Sequence, residues 1–216
     1  MNKTIRAFLA IVAVSLFSCG KSTTSAKLDL SSSSAAINYG TLTDSRDSQT
    51  YKTVVIGTQT WMAQNLNFNP PAMDSSRCYN DSISNCNTYG RLYNWDAAEI
   101  VCPLGWHLPD TTEWNTLVRT VGVDSAAIKL SAKSTLWKTN VGTNSFGFSA
   151  LPAGDYESYN DNEYILLGEE TSWWTTAQRD AVSSHTMGFY DGGPSIDMSY
   201  DGRYSYHSVR CIQSSP

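Results

Sequence analysis

Charged residues are scarce in this sequence, and the basic ones form no cluster. Asp, Glu, Lys and Arg make up 16% of the 216 residues, and the formal net charge is −5. An average soluble domain has about 25% charged residues. Because the chain has no run of Lys or Arg, it offers no basic patch to the phosphates of a nucleic acid. We therefore expect no nucleic-acid partner.

Familiar catalytic and nucleotide-binding motifs are also absent. The sequence has no G-x-S-x-G, P-loop, dinucleotide-binding glycine fingerprint or H-E-x-x-H motif. The histidines, His107, His185 and His207, show no metal-ligand spacing such as i, i+4. Ser183 and Ser184 beside His185 do not form a recognisable catalytic triad. The sequence therefore predicts no enzyme activity, no catalytic residue and no cofactor.

Long apolar runs are lacking, and the N-terminal one is too short to cross a bilayer. Residues 7–17 are apolar and follow Lys3 and Arg6, an arrangement typical of a signal peptide. Leu16 and Ser18 then precede Cys19 as in the lipobox of bacterial lipoproteins, where the cysteine thiol receives a diacylglycerol. We predict a signal peptide over residues 1–18 and lipidation, including palmitate, at Cys19. An ordinary secretory signal that happens to contain a cysteine is the alternative.

The segment after Cys19 predicts a tether. Residues 21–40 are rich in Ser, Thr and Ala and nearly free of aromatics, so they bury too little apolar area to become ordered alone. We expect residues 19–40 to be flexible and to hold a domain of residues 41–213 off the membrane. The predicted location is the bacterial cell envelope, lipid-anchored at Cys19 in the outer membrane. Its surface or periplasmic orientation and its oligomeric state are left open.

Cysteine usage predicts two disulfides. If Cys19 carries lipid, an even number remains in an exported chain, which favours disulfide bonds. Three pairings of the remaining cysteines are possible. Cys78 and Cys86 flank a short loop, as a local disulfide would, and we predict this pair together with Cys102–Cys211. The second bond would close a loop of about 110 residues and contribute up to about 4.7 kcal/mol in the chain-entropy model. A zinc site is the alternative, although the spacing contains no C-x-x-C pair.

Local patterns predict a hairpin followed by helices. Residues 50–63 alternate in polarity around Gly57-Thr58, which suits a two-residue turn. Asp110 and Glu113 form a capping-box pattern. The helix that they begin has an apolar stripe and ends at Gly122; the stripe comprises Trp114, Leu117, Val118 and Val121.

Further elements are less regular. Residues 95–101 predict a short helix with Trp95 and Ala98 on one face, and Asp124 is expected to cap another over residues 126–130. After about residue 135, short aromatic runs alternate with glycine-rich turns, and residues 208–212 predict a closing strand. Strands, then helices, then β-rich loops indicate an α+β domain.

Five ordered sequence blocks resemble one family, the Fibrobacter succinogenes major paralogous domain, over about residues 41–213. Members of this family are typically exported bacterial proteins and often lipoproteins, in agreement with Cys19. The blocks are DSRDSQTYKTVVIGTQTWMAQNLN (44–67), NCNTYGRLYNWDAA (85–98), CPLGWHLPDTTEW (102–114), FGFSALPAG (146–154) and SVRC (208–211).

A more distant resemblance concerns the fold. Residues 105–109, GWHLP, followed by a capped Glu-Trp helix, are similar to the GWRLPTEAEW block of formylglycine-generating-enzyme-type domains. Those domains have a C-type-lectin-like fold. The resemblance implies a C-type-lectin-like α+β domain with short antiparallel strands, two or three short helices and long loops, but it does not imply an activity.

The resemblance also bears on two candidate reactive residues. The related block usually has Arg where this chain has His107, and Arg cannot ligate a metal, so we interpret His107 as a structural hydrogen-bonding residue. Formylglycine-generating enzymes use a cysteine pair near their C-terminal end. Here that region contains only Cys211, and a disulfide to Cys102 is the favoured interpretation.

The acidic loop at residues 155–163 is a candidate calcium site. It offers carboxylates and amides, the oxygen ligands that calcium prefers. However, the sugar-coordinating triplets EPN, QPD and WND of calcium-dependent lectins are absent from the sequence. We therefore predict a solvated polar loop with no bound metal, and keep calcium as the alternative.

Aromatic residues are the remaining candidates for ligand contact. Flat side chains stack on the C–H faces of sugar rings, although Tyr is also a normal packing residue in strands. Trp173 and Trp174 should point to opposite faces of a strand, so we expect at most one of them to enter the core. The predicted ligand-facing aromatics are Tyr156, Tyr159, Tyr164, Trp174 and Tyr190.

These observations predict a non-catalytic envelope lipoprotein that acts as a surface binding or adhesion module for a polysaccharide or another glycan. The first alternative is a structural or protein–protein interaction component of the outer membrane. A further alternative is an enzyme of the formylglycine-generating type, which would need a free, reactive pair of thiols.

Overall fold

The computed structural model describes residues 36–72, 74–139, 141–159 and 162–214. The predicted signal peptide, Cys19 and the first part of the predicted tether lie outside these ranges. The described helices are α1 (Ile83–Tyr89), α2 (Trp95–Ala98), α3 (Thr111–Val121) and α4 (Ala126–Leu130), with 3₁₀ turns at Tyr79–Asp81 and Val123–Ser125. None of the described helices has the length and apolar character that a membrane span requires.

Short strands make up most of the regular structure of the described residues, in agreement with the α+β class, although four helices are present there instead of the two or three expected. They are β1 (Gly40–Thr43), β2 (Thr50–Ile56), β3 (Gln59–Met62), β4 (Ser76–Arg77), β5 (Leu92–Tyr93), β6 (Trp106–His107), β7 (Asp155–Glu157), β8 (Glu163–Ile165), β9 (Glu170–Gln178), β10 (Ser183–Tyr190), β11 (Asp197–Gly202), β12 (His207–Ser208) and β13 (Ile212–Gln213).

Within the described residues, the strands form three sheets. The smaller main sheet has the order β1-β2-β3-β13-β6, and the larger has the order β11-β10-β9-β12-β5-β4. Strands β7 and β8 form a separate hairpin. Pairing is antiparallel in the described sheets except between β9 and β12, which run parallel at Ser208 and Trp173.

The predicted hairpin and the main predicted helix are confirmed. Strands β2 and β3 pair around Gly57, whose φ of 62° requires the left-handed region that glycine adopts without strain. The Asp110 side chain accepts from the Glu113 N–H at 2.7 Å, and the Glu113 carboxylate accepts from the Asp110 N–H at 2.9 Å. The whole apolar stripe of α3 is buried, and Gly122 ends the helix.

The predicted cap of α4 is wrong. Asp124 lies within a 3₁₀ turn, and Ser125 occupies the N-cap position without a side-chain capping bond. The turn follows α3 directly and leaves no extended residue at Asp124, which a capping side chain needs.

Both tryptophans of β9 are buried, which corrects the expectation for this pair. Trp173 packs with Trp114 of α3 and with Phe148. Trp174, at 0% exposure, packs in a second apolar cluster and donates its indole N–H to the Tyr93 carbonyl at 2.8 Å. Strand β9 has packed side chains on both faces, so alternation does not expose either ring.

The predicted closing strand is split between two sheets. His207–Ser208 pairs in the larger sheet as β12, and Ile212–Gln213 pairs in the smaller one as β13. Residues 209–211 cross between the sheets and are fully buried. Cys211 is bonded to Cys102, and Cys78 is bonded to Cys86, so both cysteine pairs are those that the sequence predicted.

The folded part begins earlier than the predicted boundary at residue 41. Ile37 and Tyr39 pack against the main apolar cluster, and the Tyr39 hydroxyl lies 3.3 Å from Ser149 Oγ. Strand β1 then begins at Gly40. Residues 37–40 therefore belong to the domain, because their two large apolar side chains have partners there.

Candidate functional site

One face of the larger sheet is polar at its β9–β10–β11 end. Side chains alternate along a strand, so Trp173, Met187 and Phe189 enter the core while Ser172 and Thr186 point to the other side. The register places Ser172 opposite Gly188, and Thr186 opposite Ser199. These small side chains leave space above the sheet.

The β7–β8 hairpin borders this face and turns it into a cleft. Asp155, Glu157 and Ile165 of the hairpin line a cavity of about 200 Å³ together with residues of the sheet. An adjoining hollow of about 90 Å³ lies over Gly188 and shares part of the same lining. We call this space the His207 cleft. Its further lining comprises Glu170, Ser172, Thr186, Tyr190, Ser199, Tyr200, Asp201 and His207.

His207 is the central group of the cleft and is almost fully buried. Its Nδ1 lies 2.6 Å from Ser172 Oγ, and its Nε2 lies 2.9 Å from Asp201 Oδ2. The Trp174 ring contacts the imidazole in a T-shaped arrangement, with 4.5 Å between the two ring centroids. Burial alone would lower the His207 pKa, but the hydrogen bond to Asp201 and the nearby carboxylates outweigh it and raise the pKa.

Asp155 is, like His207, a buried ionisable residue of the cleft with a shifted pKa. It is 6% exposed, its Oδ2 lies 3.7 Å from His207 Nδ1, and its Oδ1 has no hydrogen-bond partner among the described residues. Burial raises the pKa of this carboxyl to about 7, although the charge of His207 partly offsets the effect. A buried acceptor left unsatisfied is costly, so this oxygen is available to a donor from a ligand.

At the edge of the His207 cleft, the Glu170 carboxylate lies beside the exposed Tyr190 ring. Burial raises the pKa of Glu170, and the charge of Glu170 raises the pKa of Tyr190. Register places these two residues opposite each other, and Tyr190 is 60% exposed. Asp201 differs: burial would raise its pKa, but hydrogen bonds from His207 and the Gly202 N–H lower it. The cleft thus combines acceptors for hydroxyl groups with a flat apolar surface.

Ser172, His207 and Asp201 are the residue types of an acyl-transfer triad. Ser172, however, lies inside β9 in register with β10, and not at the start of a helix or in a sharp turn, where backbone N–H groups can point at an oxyanion. Asp155, Glu170 and Asp201 line the same cleft and would repel developing negative charge. The position of Ser172 and the nearby carboxylates thus differ from the surroundings of an acyl-transfer nucleophile.

The structure separates the predicted ligand-facing aromatics. Tyr190 lies at the cleft, whereas Tyr164 is half-buried and donates to Asp81 Oδ1 at 2.6 Å. Tyr159 is 57% exposed, with its ring directly against Gly202. Two predictions are wrong: Trp174 is in the core, and Tyr156 is buried against Tyr206 and Tyr164, because strand pairing turns both rings inward.

The described part of the predicted acidic loop is a β-hairpin, in which Asp155 and Glu157 line the His207 cleft. Asp155 points to His207, while Glu157 and Glu163 lie on the paired strands β7 and β8. Asn160 and Asp161 at its tip lie outside the described residues. In the described part of the chain, no group of three or more His, Cys, Asp and Glu side chains has metal-binding geometry.

His107 has the structural surroundings that its sequence context predicted. Its Nε2 lies 2.8 Å from Glu113 Oε1, and its Nδ1 lies 3.0 Å from Ser214 Oγ. It therefore joins the start of α3 to the end of the chain beside β13. The nearby Cys102 is held in its disulfide with Cys211.

Sequence reasoning missed His207, Asp201 and Ser172. Ser172 lies 35 residues before His207, and Asp201 lies 6 residues before it. The register of β9, β11 and β12 brings the three residues together. The alternation of Glu170 and Ser172 with Thr171 and Trp173 was the available signal, since it marks one polar face of a strand.

The fold and the cleft define a class of protein: a disulfide-bonded α+β domain with a polar, tyrosine-edged cleft on its larger sheet. The chain belongs to the Fibrobacter succinogenes major domain family, whose model matches residues 54–213. This match confirms the family resemblance of the sequence blocks. Searches of curated proteins and of solved structures returned no significant match.

Proposed function

We propose that this protein is a non-catalytic, lipid-anchored envelope module that binds a polysaccharide or another glycan in the His207 cleft. The observation that carries the proposal is the exposed Tyr190 ring beside Glu170, at the edge of a cleft lined by the buried Asp155 and the half-buried Glu170 and Asp201. Attachment through Cys19 to the bacterial outer membrane, and a C-type-lectin-like origin of the fold, belong to the same proposal.

The chemistry of a sugar fits these groups. Sugar hydroxyls donate hydrogen bonds, and Asp155 Oδ1 is a buried acceptor without a partner among the described residues. The C–H face of a pyranose packs on a tyrosine ring as other apolar surfaces do. Small side chains at Ser172, Gly188 and Ser199 allow a ring to approach the sheet. The proposed binding needs no metal, and calcium is an alternative outcome of the test.

A protein–protein role in the envelope is the second candidate, and a different surface supports it. An apolar groove of about 420 Å³ lies beside Phe68, Pro70 and Val101. Ile100 at its edge is strongly exposed. A formylglycine-generating type of chemistry receives no support from the cysteines, because Cys102 and Cys211 are bonded to each other and Cys211 is buried.

Binding to insoluble polysaccharides and to a glycan array tests the proposal on the full chain. We expect Tyr190→Ala to weaken glycan binding about tenfold, which corresponds to about 1.4 kcal/mol. Tyr204→Ala is the matched control, since Tyr204 is 66% exposed and does not line the cleft. Adding calcium or a chelator should leave the affinity unchanged.

Three results would count against the proposal. A folded chain that binds no glycan would remove the glycan function, and equal losses in both tyrosine variants would remove the cleft as its site. Release of new reducing ends from a bound polysaccharide would contradict the non-catalytic role.

A further inference from the structure

Arg210 is a buried cation on the segment that crosses between the two main sheets. It is 1% exposed. Its Nε and Nη2 donate to Asn65 Oδ1 at 3.0 and 2.6 Å, and its Nη1 donates to the Phe148 carbonyl. The guanidinium also lies over the Phe148 ring at 4.4 Å. Arg210 therefore has neutral acceptors and an aromatic neighbour.

No carboxylate balances this charge within the described residues. The described salt bridges involve other cations, and Asn65 Oδ1 is shared between Arg210 and the Trp173 indole N–H at 2.9 Å. Burial lowers the Arg210 pKa to about 9, with no offsetting charge. A buried ion without a counter-charge is strongly disfavoured, so a negative partner would relieve a real cost.

A cavity of about 200 Å³ is lined in part by Arg210, and the other described residues of its lining are uncharged. Gln64, Asn87 and Thr88 contribute amide and hydroxyl groups. Asn67 adds a buried Oδ1 that has no hydrogen-bond partner in the described part of the chain. The described lining thus contains a cation and no carboxylate, in contrast to the whole chain, whose net charge is −5.

We propose that this cavity binds a small oxyanion, with the Arg210 guanidinium as its cationic partner. The Nε and Nη2 N–H groups that point to Asn65 are occupied, but Nη1 and Nη2 each carry a second N–H, and these two donors match the oxygens of a carboxylate or a phosphate. A hydroxyl on the same ligand would satisfy Asn67 Oδ1. The cavity shares no lining residue with the His207 cleft, so this binding is separate from the proposed glycan function.

Calorimetric titration of the full chain with glycolate and with phosphate, each against chloride at equal ionic strength, tests the proposal. We expect saturable binding of at least one of them. Glycolate alone would identify a carboxylate site, and phosphate alone a phosphate site. Saturable binding of neither to the folded chain would overturn the proposal.

Paired variants locate the site without disturbing buried Arg210. Gln64 is exposed at the cavity, and its Oε1 accepts from the Lys52 N–H at 2.8 Å. Gln64→Glu keeps that acceptor and adds a negative charge, so we expect at least about tenfold weaker binding. Gln178→Glu makes the same change at an exposed position outside the cavity and should bind as the wild type does. Equal weakening in both variants would overturn the site, and glycan binding should be unchanged in either.

Discussion

At the scale of single residues, three buried ionisable groups have very different surroundings. His207 has Asp201 within hydrogen-bonding distance and Asp155 nearby, so its positive charge is well supported. Arg210 has only neutral acceptors. Asp155 has one oxygen near His207 and one without a partner among the described residues. A ligand that satisfies groups of this kind binds only the folded state and therefore stabilises it.

Asp155 makes stability depend on pH. Its folded-state pKa is about 7, above the ordinary value of 3.8, so between these values the folded state binds more protons than the unfolded state. Stability should therefore fall as pH rises from 4 to 7, by about 2–4 kcal/mol. The raised pKa of His207 acts in the same direction at higher pH. Urea denaturation at a series of pH values measures this slope.

The variant Asp155→Asn should flatten that slope, because the amide does not titrate. Asp124→Asn, at an exposed position outside the cleft, is the control and should keep the wild-type slope. An unchanged slope in Asp155→Asn would show that other groups cause the dependence.

At the scale of secondary-structure elements, α3 is the most self-sufficient part of the fold. Its cap, its apolar stripe and its terminal glycine all lie within one short segment. The β7–β8 hairpin is different, since its two strands pair mainly with each other. It supplies Asp155 and Glu157 to the lining of the cleft. Local signals are strong for the helix and weak for the hairpin.

The cap of α3 should have a measurable effect on stability. Asp110→Ala removes the bond to the Glu113 N–H and should lower the free energy of unfolding by about 1 kcal/mol. Asp124→Ala, beside α4, removes no capping bond and should change it by less than about 0.5 kcal/mol. Chemical denaturation compares the two; equal effects would mean that the capping bond contributes little.

At the scale of the whole molecule, the end of the chain joins the two main sheets. Residues 209–211 connect β12 to β13. The Leu66 N–H donates to the Val209 carbonyl, and the Met62 N–H donates to the Cys211 carbonyl. The Cys102–Cys211 bond then links this crossing to the segment before α3. The C-terminal part of the chain thus closes the fold.

The two disulfides should therefore contribute unequally. Replacing Cys102 and Cys211 by Ala should lower the free energy of unfolding by up to about 4.7 kcal/mol, because the bond closes a long loop. Replacing Cys78 and Cys86 by Ala should lower it by about 2.5 kcal/mol in the same chain-entropy treatment. Denaturation of the two double variants tests the order, and a larger loss for the Cys78–Cys86 pair would contradict it.

The sequence by itself determined the family, the α+β class, the β2–β3 hairpin, the capped helix α3 and both cysteine pairs. Each depends on signals that are close in sequence, or on the small number of ways to pair four cysteines. The exposed Tyr190 was also predicted as a candidate, because it lies among polar residues.

Only the tertiary structure decided which polar residues meet. Strand register brings Ser172, Asp201 and His207 together, and packing on both faces of β9 buries Trp174. The split of the closing strand places Arg210 between the sheets without a described counter-charge. These outcomes depend on contacts between distant segments, whose energies come from burial and geometry that no local pattern encodes.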